Sequence, residues 1–207
     1  MSLRDLRDMV QSLTTLAAKA LAQAGEGPYM LGEHLYDELD YARFCANTPF
    51  KVRTAKAAEL GKSLWLRKLH KEGTPWDPST TVMAAAYGHS ECIRVARELG
   101  CPWSPDTITN AAISGHPECM IVARELGCPW DPDTITNAAM NGNSECIRVA
   151  RELGYEWDPE TIAVAAMSGN PECIRVAREL GCPWSPATTA LAAEYGHIEC
   201  IRVAREL

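Results

Sequence analysis

Apolar positions in this chain recur at helical spacing, three or four residues apart, and from residue 74 onward the whole apolar and polar pattern returns with a period of 27. Five copies follow one another: 74–100 (TPWDPSTTVMAAAYGHSECIRVARELG), 101–127 (CPWSPDTITNAAISGHPECMIVARELG), 128–154 (CPWDPDTITNAAMNGNSECIRVARELG), 155–181 (YEWDPETIAVAAMSGNPECIRVARELG) and 182–207 (CPWSPATTALAAEYGHIECIRVAREL). A degenerate copy precedes them: KAAELGKSLWLRKLHKEG at 56–73 matches MAAAYGHSECIRVARELG in length and in both glycines. The array is therefore read as residues 51–207, with 51–73 degenerate, behind a separate segment, 1–50.

Each copy predicts two helices. Asp77, Ser104, Asp131, Asp158 and Ser185 are each followed by proline, an N-cap acceptor before the preferred first helical residue, so helix one is expected to start there. It runs through TxxxAA and stops at Gly88, Gly115, Gly142, Gly169 or Gly196, where glycine supplies a left-handed cap. His89, His116, Asn143, Asn170 or His197 comes next and is expected to N-cap helix two, whose ECIRVAREL segment ends at the following glycine. On that helix Cys92, Ile93, Val95, Ala96 and Leu99 form one apolar face, with Glu91, Arg94 and Glu98 toward water. One such pair cannot bury this face, whereas stacked neighbours can. The expected fold class is all-α, an α-solenoid of stacked helix-turn-helix units.

The block AAAYGHSECIRVARELG at 84–100, with its copies, resembles the helix-loop-helix of ankyrin repeats: two alanines, a Gly-His turn, a Glu, and a glycine ending the second helix. The CPWD join resembles the short ankyrin-like repeats whose β-finger between units is trimmed. There are departures. The period of 27 falls short of the roughly 33 usual for the family, and the opening is WDPxT or WSPxT. Only Gly-Cys-Pro-Trp links successive units, too short for a protruding hairpin. The resemblance thus implies partner contacts along the helical groove rather than at fingertips.

Candidate chemistry dissolves into the repeat. Nine cysteines, at 45, 92, 101, 119, 128, 146, 173, 182 and 200, are an odd number without a CxxC, and Tyr155 or Thr74 stands where three joins carry cysteine. They read as small apolar packing residues. The H-x-x-C spacing of His89/Cys92, His116/Cys119 and His197/Cys200 has Asn143 and Asn170 in place of histidine in two copies, which selects a capping role over a metal or base. His116-Pro117-Glu118 lacks the second half of a zinc-deaminase motif, and Gly61-Lys62-Ser63 lacks the earlier glycine of a phosphate loop. Tryptophans 76, 103, 130, 157 and 184 precede the N-caps and read as staples onto helix one. No cofactor, metal or catalytic group is expected.

Copies of one unit act as an internal control: positions that differ are those stacking does not need. If Thr81, Ile108, Ile135, Ile162 and Thr189 point inward with the paired alanines, helix one exposes two rows. One is Met83, Asn110, Asn137, Val164 and Leu191; the other is Ala86, Ile113, Met140, Met167 and Glu194, flanked by Tyr87 and Tyr195. These are the expected partner-binding residues, for a protein or peptide. Charge excludes other partners. Residues 74–207 hold 9 Lys/Arg against 18 Asp/Glu, a poor phosphate binder, so no nucleic acid is expected. The seven Lys/Arg between Lys51 and Lys71 read as a solvated face beside Glu59 and Glu72. No run is long and apolar enough for a membrane span, no secretory signal is present, and Asp5 and Asp8 argue against a mitochondrial leader, giving a cytoplasmic expectation with the nucleus open.

Residues 1–50 read as two helices, about 3–24 and 32–46, joined by AGEGPY, and serve either as a cap or as a recruitment segment. In the second reading LYDELDYARFCANTPFKVRTAKAAELG resembles an F-box helix set, which implies a ubiquitin-ligase substrate adaptor; a structural subunit of a larger assembly is a third reading. At the other end, IRVAREL at 201–207 keeps an apolar face and suggests end-to-end self-association.

Overall fold

The computed structural model describes residues 28–206, which form thirteen α-helices, one 3-10 turn and no strand. Two compact units divide the chain, Met1–Arg53 and Thr54–Leu207.

In the first unit, α1 (Pro28–Asn47) is followed by the 3-10 turn Phe50–Val52. The helix expected from residue 32 starts four residues sooner because Pro28 is itself a favoured first helical residue. The helix expected over 3–24 lies outside the described residues. Among the described side chains of α1, Tyr41 and Phe44 are buried. Its end is closed by Arg53, whose guanidinium donates to the carbonyls of Thr48 (3.1 Å) and Cys45 (2.5 Å) and lies over the Phe50 ring.

In the second unit the helices come in pairs. The degenerate copy gives α2 (Arg53–Glu59) and α3 (Ser63–Lys71). The five full copies give α4 (Thr80–Ala86) with α5 (Ser90–Glu98), α6 (Thr107–Ser114) with α7 (Pro117–Glu125), α8 (Thr134–Met140) with α9 (Ser144–Glu152), α10 (Thr161–Met167) with α11 (Pro171–Glu179), and α12 (Ala187–Glu194) with α13 (Ile198–Glu206). Helix one packs on helix one of the next unit, α4 to α6 to α8 to α10 to α12. Helix two does likewise from α3 through α5, α7, α9 and α11 to α13.

The core lies between these layers. Ala84 and Ala85, then Ile108, Ala111 and Ala112, and their counterparts line one side; Cys92, Ile93, Val95 and Ala96 and theirs line the other. Small alanines let helices approach, and each enclosed Ile or Val contributes about 1.5–3 kcal/mol. Leu66, Leu69 and Trp65 are buried in register with Ile93, Ala96 and Cys92, and α3 packs on α5 as successive helices two do. Leu99 is only half-buried, because it caps α5 at the edge of the face it was expected to join.

Helix one begins two residues later than expected in the first four full copies, with Ser79 and its equivalents at the cap in place of Asp77 and its equivalents. Asp77 Oδ1 accepts the N–H of Ser79 at 2.8 Å, Asp131 that of Asp133 at 2.9 Å, and Asp158 that of Glu160 at 2.7 Å, so the capping acceptor is used. Its own carbonyl, however, takes both the N–H (3.0 Å) and the hydroxyl (2.8 Å) of Thr80, which tightens the Pro-Ser step into a turn before regular helix begins. The same threonine, at 107, 134 and 188, donates to Ser104, Asp131 and Ser185. In the first four full copies the hydroxyl also meets one from the previous unit: Thr54 with Thr80, Thr81 with Thr107 (2.8 Å), Thr109 with Thr134, and Thr136 with Thr161. A buried polar ladder thus sets the register between units.

Candidate functional site

Two surfaces of the array merit comparison, and the turns between helices decide how they are held. At the helix-one end, Gly88 has φ 78°, with His89 N–H bonded to Ala84 O and Gly88 N–H to Ala85 O. A side chain at Gly88 would also strike the His116 ring of the next unit at 2.8 Å.

His116, Asn143 and their equivalents therefore reach backward. Asn143 Nδ2 donates to Ala112 O (2.8 Å) and Ile113 O (2.7 Å), and Asn170 Nδ2 to Ala139 O and Met140 O. Nε2 of His89 meets Glu59 O and that of His197 meets Met167 O. These residues cap, but as donors to the previous helix one rather than as acceptors for their own helix two, whose N-termini receive no side-chain cap. Asn and His interchange here because each offers an N–H.

At the joins, the tryptophan staple expected on helix one is held chiefly from behind. Arg97 lies over Trp103 at 4.6 Å, Arg124 over Trp130 at 4.2 Å, Arg151 over Trp157 at 5.0 Å and Arg178 over Trp184 at 5.8 Å. His70, at the matching place in the degenerate copy, stacks on Trp76. Arg97, Arg151 and Arg178 also donate to the carbonyls of Cys101, Tyr155 and Cys182. The arginine of VAREL is the residue whose role its sequence position did not reveal. The join cysteines are enclosed, and burial pushes Cys101, Cys128 and Cys182 up to about 11 and Cys92, Cys146 and Cys173 up to about 12. Such thiols stay protonated and inert. Among the described residues no cluster of three or more His, Cys, Asp or Glu is placed to hold a metal.

On the helix-one face, Met83, Asn110, Asn137, Val164 and Leu191 are all half-buried, as are Ala86 and Met167. Ile113 (37%), Met140 (44%), Tyr87 and Tyr195 (54% each) and Glu194 are exposed. Thr81, Ile108, Ile135 and Ile162 do point inward, fully enclosed, while Thr189 is half-buried. Asn110 folds its amide back on Asp106 O. The outer face of helix two is charged: Arg67 pairs with Glu98, Arg94 with Glu125, Arg148 with Glu179 and Arg175 with Glu199 across successive units, with Ile121 interrupting the row.

No family model matches the chain, and no curated protein matches it. Among solved structures it is similar to the crystal structure of the human ASB11 ankyrin repeat domain, at 21% identity, with 74% of this chain covering 82% of that one and a TM-score of 0.62. The chain has the ankyrin-repeat fold.

No strand occurs among the described residues, so the joins form no β-finger there. The fourth join differs. Tyr155 and Glu156 replace the Cys-Pro of its neighbours. The Tyr155 ring is 2% exposed, packs 4.0 Å from the Trp130 ring, and its hydroxyl is pushed up to about 12 by burial. Beside it the surface opens into a cavity of about 470 Å³ lined by Trp130, Tyr155 and Trp157 together with Asp133, Glu156 and Asp158. The signal for it was the departure YEW from CPW.

Proposed function

We propose that this ankyrin-like array is a non-catalytic protein-interaction scaffold, and that a protein or peptide partner lies across the exposed helix-one face centred on Ile113, Met140 and Met167. The observation that carries this reading is the contrast between the two faces. Helix two turns inter-unit ion pairs to water, while α6 and α8 expose Ile113 and Met140 at their C-terminal ends and α10 carries the half-buried Met167 at its own. Tyr87 and Tyr195 bracket the row, aromatic residues of the kind enriched at interface centres. Nine free cysteines suit a reducing compartment such as the cytoplasm. Among the described residues no helix is long and apolar enough to cross a membrane.

Serine at Ile113, Met140 and Met167 together removes the row without touching the buried layer. Circular dichroism should be unchanged, and partners recovered by affinity purification from cell extract should be lost. Unchanged recovery would show that the partner docks elsewhere.

A further inference from the structure

We infer that the cavity at the fourth join is a second binding site, one that takes the ammonium of a lysine side chain presented by a partner peptide. Four joins of the array close with Thr-Pro-Trp or Cys-Pro-Trp; only the fourth reads Tyr-Glu-Trp, and the cavity opens there. An irregularity that coincides with a recess is not required by stacking, since the neighbouring joins stack without it.

Its size, about 470 Å³, falls within the range of roughly 300–1,000 Å³ typical of ligand pockets and admits a long side chain with adjoining backbone. Its chemistry is that of a cation site. Trp130 and Trp157 supply partly exposed rings whose faces carry negative potential, the enclosed Tyr155 ring backs Trp130, and Asp133, Glu156 and Asp158 stand among them. None of these carboxylates has an ion-pair partner among the described residues. Two cations lie close by, Arg124 over Trp130 and Arg151 over Trp157. Each occupies one face of its indole, and Arg151 is tied to Tyr155 O, so neither fills the recess. Three carboxylates against two committed guanidiniums leave a net attraction for a further positive charge. A compact ammonium on a flexible stem suits such a recess better than a planar guanidinium, which needs a matching fork. The site is independent of the helix-one groove: it lies at the N-terminal ends of α8 and α10, whereas Met140 and Met167 close the C-terminal ends of the same helices.

The test is a titration of the ¹⁵N-labelled full chain with a blocked Gly/Ser heptapeptide carrying one central lysine, and with its glutamine counterpart, at physiological salt. The indole N–H signals of Trp130 and Trp157 should move with the lysine peptide only, while that of Trp184, at a regular join, stays in place. The double variant Tyr155→Cys with Glu156→Pro writes the regular join at this position, so the fold has a precedent within the chain. It should weaken the interaction at least tenfold with an unchanged far-UV spectrum. Equal shifts with the glutamine peptide, absence of any shift, or full binding by the double variant would each overturn the assignment.

Discussion

Asn143 shows how a single side chain in this array can carry a role opposite to its usual one. Asparagine before a helix normally accepts from the helix N-terminus, where aspartate serves equally well. Here its amide instead donates to two carbonyls of the previous unit, Ala112 O and Ile113 O. Asn143→Asp therefore separates the roles: it should destabilise the chain by about 1–3 kcal/mol in urea unfolding, because a carboxylate would face two carbonyls. Asn143→His, the exchange the copies already make, should cost under about 0.5 kcal/mol. From sequence the interchange of Asn and His was legible as capping. The direction was not, because the acceptors sit about thirty residues away on a neighbouring unit. The thiols give a second expectation at this scale. Burial raises Cys92, Cys119, Cys146 and Cys173 on helix two and Cys101, Cys128 and Cys182 at the joins from 9.0 to between about 11 and 12, and raises Cys200 as well. Their stabilising contribution is complete below pH 9 and is lost as pH climbs through 11 to 12, since the unfolded chain ionises first. The urea midpoint should fall between pH 8.5 and 10.5, and at pH 8 the half-buried Cys45 should react with a thiol reagent well ahead of the rest.

At the scale of elements, two devices fix how one pair of helices sits on the next. The threonine ladder links Thr81 to Thr107, which in turn bonds Ser104 O. Thr107→Val keeps the shape and removes the hydroxyl, leaving Thr81 without that partner; a loss of about 1–2 kcal/mol is expected in urea unfolding. The second device is the arginine that closes α5, α7, α9 and α11 over the next tryptophan. Pairing of helices, glycine stops and inward rows were readable from apolar spacing and from the copies themselves. The late start of helix one was not, because it depends on a threonine hydroxyl competing for the Asp77 carbonyl. The arginine was hidden for a related reason. A charged residue in a helix's last turn reads as solvated, and only the return of the chain over it brings the indole within 4.2–5.8 Å.

For the molecule as a whole, regularity records what stacking demands, and the departures from it mark where function can reside. The helix-one rows could be singled out in the sequence because the copies disagree there while agreeing on the buried alanines. The cavity at the fourth join escaped that reading, because Tyr155 looked only like a residue that disqualified a metal. Its neighbours Trp130 and Trp157 come together with it only once the units stack. The principal proposal, that partners bind across the helix-one face and not over the ion-paired back, is open to one direct comparison. Affinity purification with quantitative mass spectrometry should be run on the wild-type chain, on the chain with serine at 113, 140 and 167, and on a chain with Arg148→Glu and Arg175→Glu on the opposite face. Partner recovery should fall at least tenfold for the serine variant and persist for the glutamate one. Recovery lost from the glutamate variant and retained by the serine variant would contradict the proposal.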